Sequence, residues 1–216
     1  MIKIEYRPGD FATRGDTLVR VWRDAETDKD DFQKYHNAYA MGQDRTAHQN
    51  ILFLADELVE ILARALSPGV NDPFTAINCI NWFHSAMKTF LRGKMPSPYR
   101  RDEAGDLRVI AYPISFERFA SVICDQSRAY IAGDRNTTLK MMTVLTELTA
   151  GTKDERAKDV LKSHLEKLQE ASLEAQTSGP DRAQIKDRYN LALEMVSDPE
   201  RFQAEISSQR WIGGRG

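Results

Sequence analysis

Cysteine is scarce in this 216-residue chain: only Cys79 and Cys124 occur, far apart and inside apolar helical patterns. That excludes a disulfide framework and a cysteine-based metal site, and the two read as reduced, buried thiols of a cytosolic domain. An excess of one charge is missing too. Against 32 Asp and Glu stand 30 Lys and Arg, a net charge of −2, which leaves no electrostatic basis for nucleic-acid binding. No apolar run approaches the ~20 residues of a membrane span, and no signal peptide precedes the first strand pattern. The chain as it stands is expected to be soluble. What is present is an ordinary globular composition, 41% hydrophobic and 29% charged, with enough apolar mass for a core.

The stretch around which the chain is organised runs from Ala63 to Ala76, A-R-A-L-S-P-G-V-N-D-P-F-T-A. Leu58, Val59, Leu62 and Leu66 keep helical spacing up to Ser67. Pro68 lacks an N–H and pushes Ser67 out of the α region, so a helix stops there. Asp72 suits an N-cap and Pro73 the first helical position. Phe74, Ile77, Ile80 and Met87 then continue an apolar face. The prediction is helix, tight polar corner, helix. The second helix, Asp72 to Arg92, is so apolar and aromatic that burial on more than one face is expected, within the chain or by a partner.

On either side the order is equally readable. Met1 to Trp22 alternates as short strands broken by Pro8-Gly9-Asp10 and Arg14-Gly15-Asp16. The pattern P-G-D-F-x-x-x-G-D-x-L resembles half of a lipoyl-type β-barrel, without an acceptor lysine in a tight turn. A charged linker follows, then a short helix over Asp31–Met41 carrying His36. Thr46 and Gln49 form a capping box for a helix ending at Ser67. Tyr99–Arg101 and Leu107–Tyr112 predict a hairpin around Asp102–Asp106. Helices are predicted over Phe116–Ala132, Thr137–Thr149, Asp154–Gln176 and Asp181–Val196, with a last one from Asp198-Pro199 to Ile206. The fold class is therefore mainly α: a helical bundle, with a small β unit over 1–23, a helical domain over 24–216 and a hairpin insertion at about 99–112.

No catalytic constellation outranks a structural explanation. Ser67, Ser85 and Cys79 sit in no nucleophile context. His48 and His84 lack a ligand partner at helical spacing, so no metal is expected, and no cofactor. The one candidate ligand site is the polar corner, where Arg45, His48, Gln49, Arg64, Asn71 and Asp72 would line a pocket for an anion or small molecule, with Arg45 and Arg64 supplying charge. Arg64 is also placed to pair with the last carbonyls of its helix or with Asp72.

The pieces P-G-D-F-x-x-x-G-D-x-L, R-T-A-H-Q-N, R-A-L-S-P-G-V-N-D-P-F-T-A and the hairpin strand G-D-L-R-V together resemble a bacterial family of predicted membrane proteins of unknown function, domain of unknown function 2254, over roughly Pro8 to Leu145. Where that family shows R-T-x-x-Q-D, this chain has Asn50. The resemblance implies transmembrane helices elsewhere in the natural protein, with this chain similar to its soluble C-terminal part, and it implies no chemistry. The expected function is that of a non-catalytic cytoplasmic domain of an inner-membrane protein, acting in assembly or in sensing or gating. Its expected partners are further copies of itself and the transmembrane segment of the same protein. A ligand binder or enzyme at the polar corner is the alternative.

Overall fold

The computed structural model describes residues 1–22, 29–42 and 50–198. Among them the order is β1 (Ile2–Ile4), β2 (Val19–Val21), α1 (Lys29–Asn37), α2 (Ile51–Ala65), α3 (Pro73–Arg92), β3 (Tyr99–Arg101), β4 (Leu107–Ile110), α4 (Phe116–Ile131), α5 (Arg135–Gly151), α6 (Glu155–Ala175) and α7 (Gly179–Ser197). The fold is mainly α. The chain divides into two compact units, Met1–Leu54 with Met95–Ile114, and Ala55–Lys94 with Ser115–Gly216.

The first unit holds one four-stranded sheet in the order β2-β1-β4-β3. β1 pairs antiparallel with β2 and parallel with β4, so Ile2 lies between Val21 and Val109. The hairpin predicted near residue 100 is thus one half of the sheet that Met1–Trp22 begins. Its turn is built by Asp102, whose carboxylate accepts from the Ala104 and Asp106 N–H groups, with Gly105 at φ +88°. Arg108 pairs with Asp102 at 2.5 Å, which holds that carboxyl below the ordinary range. α1 ends at Asn37, short of the predicted Met41. The Ala38 and Tyr39 N–H groups fold back onto Tyr35 and His36 carbonyls, and the Tyr39 hydroxyl donates to the Leu18 carbonyl.

Gly9 and Asn50 meet in this unit. Gly9 has φ +85°, and a Cβ there would stand 2.8 Å from the Asn50 Cβ, a distance that real side chains do not tolerate. Asn50 is buried, and its Oδ1 accepts from the Leu52 N–H at 2.9 Å. α2 therefore starts at Ile51 with Asn50 as its cap. The expected capping box of Thr46 and Gln49 lies outside the described residues.

The second unit is a bundle arranged about α5, which packs against α3, α4, α6 and α7. Being covered on so many sides, α5 has little polar face, and the polar residues it buries are threonines. Thr143, Thr146 and Thr149 are buried and turn their hydroxyls back to the Leu139, Met142 and Leu145 carbonyls. Each hydroxyl is satisfied within the helix, so it enters the core without an orphaned donor. Thr138 meets Ser172 of α6 at 3.2 Å, and buried Arg188 of α7 donates to Thr143 at 2.9 Å. The caps follow sequence signals: Ser115 for α4, Asp134 for α5, Asp154 for α6 and Ser178 for α7. With Asp134 as its cap, α5 opens at Arg135, two residues before the predicted Thr137. The Asp134 carboxylate accepts from both the N–H and the hydroxyl of Thr137.

Candidate functional site

At the polar corner, α2 runs out at Ala65 and the backbone closes on itself. The Ser67 hydroxyl donates to the Arg64 carbonyl, and the Val70 and Asn71 N–H groups donate to the Ser67 carbonyl. The Asp72 N–H returns 2.7 Å to the Ala65 carbonyl. Asn71 holds φ +49°, a left-handed conformation that asparagine tolerates better than other side chains. Gly69 does not take a positive φ.

Asp72 is occupied as a cap. Its Oδ1 accepts from the Phe74 and Thr75 N–H groups, each at 3.1 Å, and its Oδ2 from the Thr75 hydroxyl at 2.6 Å. That hydroxyl bond first, then the backbone N–H groups, hold the carboxyl below its ordinary range. Arg64 forms an ion pair with Glu60, one turn back on α2. Of the six residues expected to share a pocket, Arg64, Asn71 and Asp72 are described. Arg45, His48 and Gln49 lie outside the described residues.

What the corner does display is apolar. Val70 is 62% exposed, Phe74 77% and Trp82 65%. α3 buries one face, through Ala76, Cys79, Ile80, Phe83 and Met87. On the other, Phe74, Asn78, Asn81, Trp82 and Ser85 are all exposed, and none carries a charge. The predicted burial of α3 on more than one face is met inside the chain on one face.

Sequence reasoning missed a second cluster, which lies between α4 and α6. His164 is 5% exposed, and its Nδ1 stands 3.7 Å from Asp125 Oδ1, beyond hydrogen-bond reach. Arg128 donates to the same carboxylate oxygen at 2.7 Å. Burial lowers the imidazole's affinity for a proton, and the Asp125 charge only partly restores it. For Asp125 burial works the other way. The Arg128 hydrogen bond and the neighbouring positive charges outweigh it and leave the carboxyl below its usual range. A cavity of about 10 Å³, the size of a single water, lies beside His164, Cys124 and Met141. Burial pushes the Cys124 thiol up to about 12. The thiol stays protonated at neutral pH and is no nucleophile. A second histidine, His84 of α3, lies 3.8 Å from Glu147 of α5, again with its proton affinity lowered, first by burial. The spacing of three or four residues that flags such pairs within one helix is absent here, because each pair bridges two helices.

Over residues 1–147 the chain matches the family described as "Predicted membrane protein (DUF2254)". It belongs to that family. The family match includes the whole sheet, the corner, and α4 through most of α5. Among relatives of this DUF2254 chain are the uncharacterized proteins Rv1290c of Mycobacterium tuberculosis (strain H37Rv) and Mb1321c of Mycobacterium bovis. Each is 28% identical over 196 residues, covering 88% of this chain and 37% of the relative. The DUF2254 chain thus spans little more than a third of the relatives it matches. No solved structure matches it. Among the described residues no helix is long and apolar enough to cross a membrane.

Proposed function

We propose that this chain is a non-catalytic domain of a bacterial inner-membrane protein and that it works in assembly, by offering the outer face of α3 to a protein partner. One observation carries the reading: two large aromatics, Phe74 and Trp82, stand in solvent on a helix face without charge. Aromatic enrichment with depletion of charge is the composition of an interface core. The partners the reading allows are a second copy of the chain and the transmembrane part of the same protein. Light scattering and crosslinking at micromolar concentration test it. Self-association that Trp82→Arg weakens supports it, and a chain that stays monomeric while failing to bind its own membrane part removes it. We place the domain on the cytoplasmic side, where two buried thiols stay reduced. Reporter fusions to the full-length protein check that side.

The polar corner gives a second reading, ligand capture by Arg64, Asn71 and Asp72 with Arg45, His48 and Gln49. Its support is Asn71, exposed and held at φ +49° beside a helix N-terminus. Phosphate or a small carboxylate would raise the melting temperature, and Arg64→Ala and Asn71→Ala would each abolish that rise. A melting temperature indifferent to both anions ends this reading.

A further inference from the structure

The exposed face of α3 has nearly the same character in both directions about Asn78. Phe74 stands four residues before it and Trp82 four after. At that spacing all three share one stripe, about 12 Å from first to last. Ser85, seven residues after Asn78, extends the same stripe and is exposed and uncharged. From Pro73 to Met87 the helix has no Asp, Glu, Lys or Arg.

We propose that this face binds a second copy of the chain, α3 antiparallel to α3, with a two-fold axis through Asn78. The proposal rests on the assembly reading above and names its partner. A two-fold interface uses one patch twice, so each contact must be its own complement. Centred on Asn78, the register sets Phe74 against Trp82 of the second copy on both sides of the axis, a pairing that suits offset or edge-to-face rings. At the axis two Asn78 side chains meet. A carboxamide both donates and accepts, so the pair satisfies itself as a like-charged pair could not. Lys88 lies ten residues beyond the axis, past the reach of the second copy's α3, which begins at Pro73, and so is not set against another cation of that helix. A partner with a charged face would bury unpaired charge against this neutral stripe. A lipid surface is matched by cations spread around the apolar residues, whereas the exposed cations of α3, Lys88 and Arg92, lie only toward its C-terminal end.

Asn78→Cys tests the register, because a two-fold axis at this position brings the new thiol against its own copy. Cys79 and Cys124 are buried and do not compete. Under mild oxidation the variant is expected to form a disulfide-linked dimer, while Glu166→Cys on the exposed side of α6 forms none. Trp82→Arg is expected to raise the dimer dissociation constant at least about tenfold with an unchanged helical circular-dichroism spectrum. If the chain self-associates and Trp82→Arg weakens it but Asn78→Cys does not crosslink, the α3 pairing about Asn78 is overturned while the assembly reading stands; if Trp82→Arg has no effect either, both fall. A chain that is monomeric at micromolar concentration overturns the pairing. If it also fails to bind its own membrane part, the assembly reading falls too.

Discussion

The helical unit and the sheet unit are stabilised in different ways. In the helical unit Phe83, Phe119, Leu145 and Leu161 are almost fully buried, and even the threonines of α5 are hidden with their hydroxyls satisfied. In the sheet unit no strand residue reaches full burial. Ile2, Ile4, Val19, Val21 and Val109 share a face and are all half-buried. What marks the sheet unit is polar and local: the Lys3–Glu5–Arg20 ion pairs, the Asp16 carboxylate on Thr13, and Asp102 inside its hairpin turn. Burial of apolar surface scales with area and is not screened by salt, whereas exposed ion pairs are weak and screened. The helical unit is therefore the stable body, and the sheet unit takes its shape from turns and backbone pairing.

The largest effect should come from the helical core. Phe83→Ala is expected to cost about 3–5 kcal/mol in denaturant unfolding. Val109→Ala, in the half-covered sheet, should cost no more than about 1.5 kcal/mol. Equal losses would break the comparison. Next is Gly9→Ala, where a positive φ and the approach of Asn50 combine. We expect about 1–3 kcal/mol, with hydrogen exchange accelerated at Leu52 and unchanged in α5 and α6. A uniform loss of protection would mean that the two units unfold as one. Asp134→Ala removes the cap of α5 and should cost about 1 kcal/mol, read as a shift of the helical unfolding transition and not of sheet exchange.

The smallest expected effect is a tilt with pH. His84 and His164 have folded-state proton affinities below the ordinary imidazole value of 6.5. Unfolding lets both imidazoles take up protons below that value, so stability is present above 6.5 and lost as the pH falls from it toward the folded-state values. Melting temperatures measured on either side of that value should decline on the acid side, and His164→Leu should flatten the decline. A melting temperature that rises on acidification would show that Asp125 and Glu147 outweigh burial.

Much of this was legible in the sequence because it is local. Periodicity located α3 to α7, and Asp72 with Pro73 marked the corner and its cap. The resemblance to the DUF2254 family rested on runs of adjacent residues. Contacts across the chain left no such trace. Nothing near Ile2 announces Val109 as its neighbour, since parallel pairing has no turn to signal it. His164 and Arg188 sit in charged helical segments that read as solvated faces, and only packing onto α4 and α5 buries them. At the corner, apolar spacing set Ile80 and Met87 on the buried face of α3 but placed Phe74 with them, and Phe74 is exposed. That Phe74 and Trp82 face solvent depends on which neighbours α3 has, and spacing does not contain that.

The parallel pairing of β1 with β4 also orders events during synthesis. Ile2 leaves the ribosome about a hundred residues ahead of its neighbour Val109. At about 5–20 residues per second the wait is about 5–20 s, far longer than helix or hairpin formation takes. In that interval β1 and β2 form a lone two-stranded ribbon, marginal in water, while α2 and α3 emerge behind them. Completing the sheet must then close a loop spanning α2, the corner and α3. β1 accordingly waits about a hundred residues for this partner, and its unpaired edge is where a chaperone or a neighbouring nascent chain would find a strand to bind.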